Sequence, residues 1–161
     1  IFCSRKQNVK QLAKTLKQSG FAIEEMHSDL EQAQRESVVG GFTSGRIPIM
    51  VATDILSRGI DIDTIDLVIN YDVPRDGEDY VHRIGRTARA EADGMAFTLV
   101  GEREQNSFAA IESLIDKEVE KAEIPQEFGP VPAYNPRKRG GATSERRPQR
   151  KFYQRKSGNK R

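Results

Sequence analysis

The sequence has no tryptophan, one cysteine and two histidines. A single Cys3 excludes an internal disulfide, and that thiol with His27 and His82 cannot supply a recognisable zinc spacing. Long hydrophobic runs are missing too: no window approaches 18 consecutive apolar residues, and the opening residues form neither a basic leader nor a signal-peptide stretch. These absences disfavour a membrane span and a secretory route, and they point to a soluble protein in a reducing cytoplasm. What is present suits one domain: 161 residues, 36% apolar and 31% charged. A body of that size buries about two thirds of its unfolded surface, enough for a real core.

The net charge of +2 conceals a division. Residues 135–161 hold 11 Lys and Arg against the single acid Glu145, a net of +10, whereas the other 134 residues carry a net of −8. Only Ala142, Phe152 and Tyr153 of the basic stretch are apolar, so burial cannot offset its ordering entropy, and a disordered tail over 137–161 is expected. Its cations interleave with Phe152-Tyr153, a combination suited to phosphate attraction and ring stacking on unpaired bases; a merely solubilising tail is the plainer alternative. Pro125, Pro130, Pro132 and Pro136 rule out a continuous helix and mark residues 124–136 as a linker, leaving 1–123 as the body. Ile1-Phe2-Cys3 reads as a buried strand begun without an initiator Met, as in a piece of a longer polypeptide.

Within the body, strand and helix patterns alternate. Val9, Leu12, Ala13 and Leu16 make a helical stripe that ends at Gly20; Phe21 to Met26 reads as a strand; Gln32 to Phe42 is helical despite Gly40-Gly41. Ile47 to Ala52 is a continuous apolar run of the kind buried on both sheet faces, and residues 67–71 repeat it. Asp76 to Ile84 is a short helix, Gly94 to Val100 a strand, and Phe108, Ile111, Leu114, Ile115 and Val119 line a last helix. Such alternation predicts a parallel sheet with helices on both faces and ligands at the carboxyl ends of the strands.

Polar residues gather at those ends. Ala52-Thr53-Asp54 through Ser57-Arg58-Gly59-Ile60-Asp61 offers hydroxyls, a guanidinium and a glycine permitting close backbone approach, the parts for gripping a sugar-phosphate chain; a helix cap followed by a turn is the alternative. His82-Arg83-Ile84-Gly85-Arg86-Thr87-Ala88-Arg89 sets three arginines at intervals of three, cations that repel unless an anion sits among them. A polyphosphate is the sharper choice of anion, since planar, always-charged forks suit a phosphoryl transition state; a solvated basic helix end is the plainer one. Ser4-Arg5, His27-Ser28-Asp29, and Gln32 with Arg35 read singly as caps or solvated surface, yet together they share this sheet edge.

At these residues the sequence closely resembles the second RecA-like domain of DEAD-box RNA helicases. Residues 1–5 look like motif IV without its first residues, Gln32 to Arg35 like the Gln-x-x-Arg of motif IVa, Ala52 to Asp61 like motif V, and His82 to Arg89 like motif VI. The extension from Pro125 onward is similar to the bacterial RhlE-like subgroup. The resemblance implies a RecA-like α/β fold, a parallel sheet flanked by helices on both faces and followed by the basic tail. It further implies that Arg86 and Arg89 reach the γ-phosphate of ATP, with Asp61 on the ribose. Ser4, Arg5, Gln32, Arg35, Thr53, Arg58 and Gly59 would line RNA, single-stranded or duplex and largely without regard to sequence, while His82 and Arg83 couple the domains.

Two departures stand out: His27-Ser28-Asp29 where many members have His-Gly-Asp, and Thr87-Ala88-Arg89 without Gly before the last Arg. No Gly-x-x-x-x-Gly-Lys-Ser/Thr loop and no Asp-Glu-Ala-Asp segment occurs, so Mg²⁺ and most phosphate contacts fall to a preceding RecA-like domain, and the chain alone should not turn over ATP. A receiver domain would explain an Asp54 after a central strand, but Cys3-Ser4-Arg5 stands where its acidic pair belongs. A non-catalytic RNA-binding adaptor is the remaining alternative, and it leaves Arg86 and Arg89 without work.

Overall fold

The computed structural model describes residues 1–54, 62, 65–87 and 94–136. Among these residues the order is α1 (Lys6–Gln18), β1 (Ile23–Met26), α2 (Gln32–Thr43), β2 (Ile49–Ala52), β3 (Leu67–Asn70), α3 (Gly77–Ile84), β4 (Met95–Thr98) and α4 (Gln105–Leu114). Local signals set the ends. Gly20, at φ +88°, lets the chain leave α1, where its N–H meets the Lys17 carbonyl. Glu31 and Gln34 form a reciprocal capping box at the start of α2, and the Asp76 carboxylate accepts from Glu78 N–H at the start of α3.

β1 pairs in parallel with β2, and β3 with β4. Residues 1–3 join the two halves: Cys3 N–H donates to Ala52 O at 2.9 Å on one side, and Phe2 N–H donates to Ile69 O at 2.8 Å on the other. The opening tripeptide therefore lies in the middle of the sheet.

Alternation then divides the core by face. Cys3, Ile23 and Val51 meet Val9, Leu12, Ala13 and Leu16 of α1, while Phe2, Met26, Met50, Ala52 and Val68 meet Val38, Val39 and Phe42 of α2. Each such large side chain contributes about 1.5–3 kcal/mol on full burial. A third cluster, Val73, Tyr80, Phe108 and Ile111, holds α3 to α4. Gly41, one of the two glycines that weaken α2, is where Ile47 packs; a Cβ there would strike its side chain. Helices on both faces of a parallel sheet are the expected architecture.

Three details differ from the sequence reading. The apolar run at 67–71 is not buried on both faces: Leu67 is 43% and Tyr71 42% exposed, whereas α1 packs over β1 and β2. The last helix stops at Leu114, where the chain turns through Asp116 at φ +50°, although Ile115 and Val119 still reach the third cluster. The proline-containing stretch is partly docked. Tyr134 packs edge-on against Phe108 and donates its hydroxyl to Glu112 at 2.8 Å, and the buried Gln105 bonds Ala133 O and Asn135 N–H. Burial pulls the Glu112 carboxyl upward, but Lys121, Val119 N–H and the Tyr134 hydroxyl hold it below its ordinary value.

Candidate functional site

The sheet brings the carboxyl ends of residues 1–3, β2 and β3 side by side, and one side chain of α3 ties them together. Arg83 is fully buried. Its Nε lies 2.5 Å and its Nη2 2.9 Å from the two Asp54 oxygens; Nη1 donates to Asn70 Oδ1 and to the Asp72 carbonyl, and Nη2 donates to Ser4 Oγ at 3.3 Å. The guanidinium also sits 5.6 Å from the Phe2 ring centroid and 3.8 Å from Asp72 Oδ1. The Asp72 carboxylate in turn accepts Ser4 N–H and, at 2.6 Å, the Ser4 hydroxyl. Burial, followed by the Asp72 charge, pushes the Cys3 thiol beneath this cluster up to about 12, so it stays protonated and unreactive.

The anions beside Arg83 are the protein's own carboxylates, Asp54 and Asp72. That corrects the assignment of the whole triplet to a polyphosphate. An eight-residue helix lying on the sheet turns one of its cations inward, and the buried charge needs partners. Arg86 is different: it is half-exposed in the turn after α3, with its N–H on the Arg83 carbonyl, and His82 is exposed on α3 itself.

The other candidates line the same edge. Arg5 is the exposed N-cap residue of α1, whose first turn offers unsatisfied N–H groups. Gln32, exposed at the start of α2, bonds Glu36, and Arg35 one turn on donates to Ser28 O at 3.0 Å while its Nε is buried without a partner among the described residues. Thr53 is buried at the end of β2; its N–H meets Met26 O, and its hydroxyl has no partner among the described residues. His27 follows β1, buried, its Nδ1 accepting from Asp29 N–H, while hydrogen bonds from Lys10 and Lys6 hold the Asp29 carboxyl well below its usual range. Arg58, Gly59, Asp61 and Arg89 lie outside the described residues. Asp72 and Asn70 were not singled out from the sequence, though a polar Asn70-Tyr71-Asp72 closing an apolar strand carries the same signal as residues 52–61.

Residues 1–91 fit the model of the helicase conserved C-terminal domain. The chain belongs to that family.

This helicase C-terminal domain is 42% identical over 125 residues to the ATP-dependent RNA helicase CshA of Listeria monocytogenes, covering 78% of this chain and 24% of CshA. It is 40% identical over 123 residues to DBP8 of Debaryomyces hansenii, covering 76% and 28%. Among solved structures, a DEAD box protein from the hyperthermophile Methanococcus jannaschii superposes with a TM-score of 0.72 at 41% identity, over 76% of this chain and 34% of that one. Dbp5 of S. cerevisiae bound to RNA and ADP BeF3 gives 0.66 at 34% identity, over 70% and 30%. The domain is thus of the DEAD-box kind with a RecA-like fold, and it spans about a quarter of the length of these curated relatives. Fungal and bacterial proteins, CshA among them, do not single out the RhlE-like subgroup. No described helix is long and apolar enough to cross a membrane.

Proposed function

We propose that the intact protein is a cytoplasmic ATP-dependent RNA helicase in which this domain supplies arginine fingers and half of the RNA-binding surface for local duplex unwinding. The observation that carries this reading is the division of labour within motif VI. Arg83 is anchored inside against Asp54 and Ser4, while Arg86, three residues on, stands half-exposed in the turn after α3. Arg86, with Arg89, then meets the γ-phosphate and stabilises charge developing there, and Asp61 holds the ribose. We assign the Mg²⁺ that accompanies ATP to the preceding RecA-like domain. When bound, ATP with Mg²⁺ supplies the phosphoryl group and neutralises charge between its phosphates.

Ser4, Arg5, Gln32, Arg35, Thr53, Arg58 and Gly59 face the sugar-phosphate backbone, with His82 and Arg83 linking this surface to the partner domain. Phosphate contacts carry no sequence information, so Arg58→Ala should weaken every single strand by a similar factor. A strong preference among scrambled strands, lost on that substitution, would count against backbone recognition. The defining assay is RNA-stimulated phosphate release together with separation of a short duplex. The full-length protein should do both and the 161-residue chain neither; turnover by the chain alone would overturn the reading.

The composition of residues 125–161 supports an RhlE-like extension, and we assign most of the nonspecific RNA affinity to its +10 charge. A single strand gives a slope of log affinity against log salt of about −0.7 per phosphate contacted, so deletion after Pro136 should flatten that slope and raise the RNA concentration for half-maximal ATPase. The maximal rate should be spared, because Arg86 and Arg89 remain. Tighter RNA binding after deletion would reveal instead a tail that folds back on the acidic body.

A further inference from the structure

Asp72 touches both sides of this edge. Its carboxylate accepts the N–H and the hydroxyl of Ser4, immediately before the α1 N-cap, and takes a longer contact at 3.4 Å from Asn8 of α1 itself. On its other side Arg83 reaches the Asp72 carbonyl at 3.2 Å and faces the carboxylate at 3.8 Å, and Arg83 belongs to the last turn of α3, directly before Arg86. Ser4 Oγ closes the loop, receiving from Arg83 while donating to Asp72. Arg5, the α1 N-cap residue, has no side-chain capping bond of its own, so the start of α1 is held from Asp72.

We propose that Asp72 is a positioning residue: it fixes the RNA-facing start of α1 against the Arg86-bearing end of α3, so that RNA engaged on one side sets the placement of the guanidinium on the other. The inference rests on the helicase reading above and adds to it a residue with no direct contact to either ligand. The physical reason is geometric. A carboxylate held by three donors from α1 and its approach, and by a buried cation from α3, leaves those two elements little freedom to shift independently. A displacement of an ångström at a transferring phosphate costs as much as about a hundredfold in rate.

The test uses the full-length protein with Asp72→Asn, which keeps the shape and one acceptor but removes the charge facing Arg83. RNA-stimulated ATPase at saturating RNA should fall about tenfold, with the RNA concentration for half-maximal rate and the RNA affinity without nucleotide within about twofold of the parent. A second pair guards against a folding defect: Ser4→Ala, which deletes the bridging oxygen, should lose kcat as well, together with some RNA affinity because Ser4 also faces RNA, and Ser4→Thr, which keeps the oxygen, should restore most of both. A lower melting temperature with kcat intact would make Asp72 merely structural and overturn the proposal. So would a raised half-maximal RNA concentration at unchanged kcat, which marks direct RNA contact. Arg86→Lys run alongside separates the two levels. If it abolishes turnover while Asp72→Asn leaves kcat alone, only the positioning role fails; if the full-length parent itself shows no RNA-stimulated turnover, the helicase reading fails.

Discussion

Arg86→Lys in the full-length protein is expected to lower RNA-stimulated ATP hydrolysis by about 10³-fold or more while leaving RNA affinity nearly unchanged. Lysine keeps the charge but loses the planar fork that meets two phosphate oxygens at once, and an arginine finger acts on charge that develops only in the transition state. The loss should therefore fall on kcat and on kcat/KM alike. Arg89→Ala should behave in the same way. Arg86 suits the role because its neighbour is pinned: the Arg83 carbonyl accepts Arg86 N–H, and Arg83 is held by Asp54, Asn70 and Ser4. Steady-state phosphate release over a range of RNA concentrations provides the measurement. Turnover within about twofold of the parent for both variants would remove the finger assignment, whereas a parent without turnover would favour an RNA-binding adaptor.

Arg83→Met should instead strike stability. It nearly preserves volume, but it removes the buried cation facing Asp54 and Asp72 and leaves the Asn70 and Ser4 oxygens with fewer donors. Breaking a buried pair from one side typically costs about 3–5 kcal/mol. At about 2–4 °C per kcal/mol for a chain of this size, the melting temperature should drop by about 6 °C or more. Pairing Arg83→Met with Asp72→Asn should cost less than the two single losses combined, since the second change neutralises a carboxylate that the first has stranded. Calorimetry on the four members of that cycle checks both statements. A shift of only a degree or two in Arg83→Met would mean that water takes over the role of the guanidinium.

These two arginines differ by three positions in one motif, and they mark where sequence reasoning reached its limit. Interval-three spacing called for an anion near the triplet. It could not tell which arginine faces inward, because Asp54 lies 29 residues away and Ser4 79 residues away from Arg83. The docked end of the proline-containing stretch escaped for a similar reason. Prolines correctly excluded a continuous helix, but the partners of residues 133–135 are Gln105 and Glu112 on α4, which no local pattern reveals.

The helices α1 and α2, the four strands and the polar clusters at strand ends were legible from the chain alone, because each depends on periodicities of 3.6 or 2 and on caps within a few residues. Motifs V and VI likewise carry their identity in contiguous residues. Tertiary structure alone decided that residues 1–3 lie between β2 and β3, that Leu67 and Tyr71 face outward, and that Asp72 joins α1 to α3. Such facts are properties of strand order. Parallel pairing puts side by side residues separated by a whole crossover, so a carboxylate and its cation meet only after the sheet has assembled, and no local preference records the meeting.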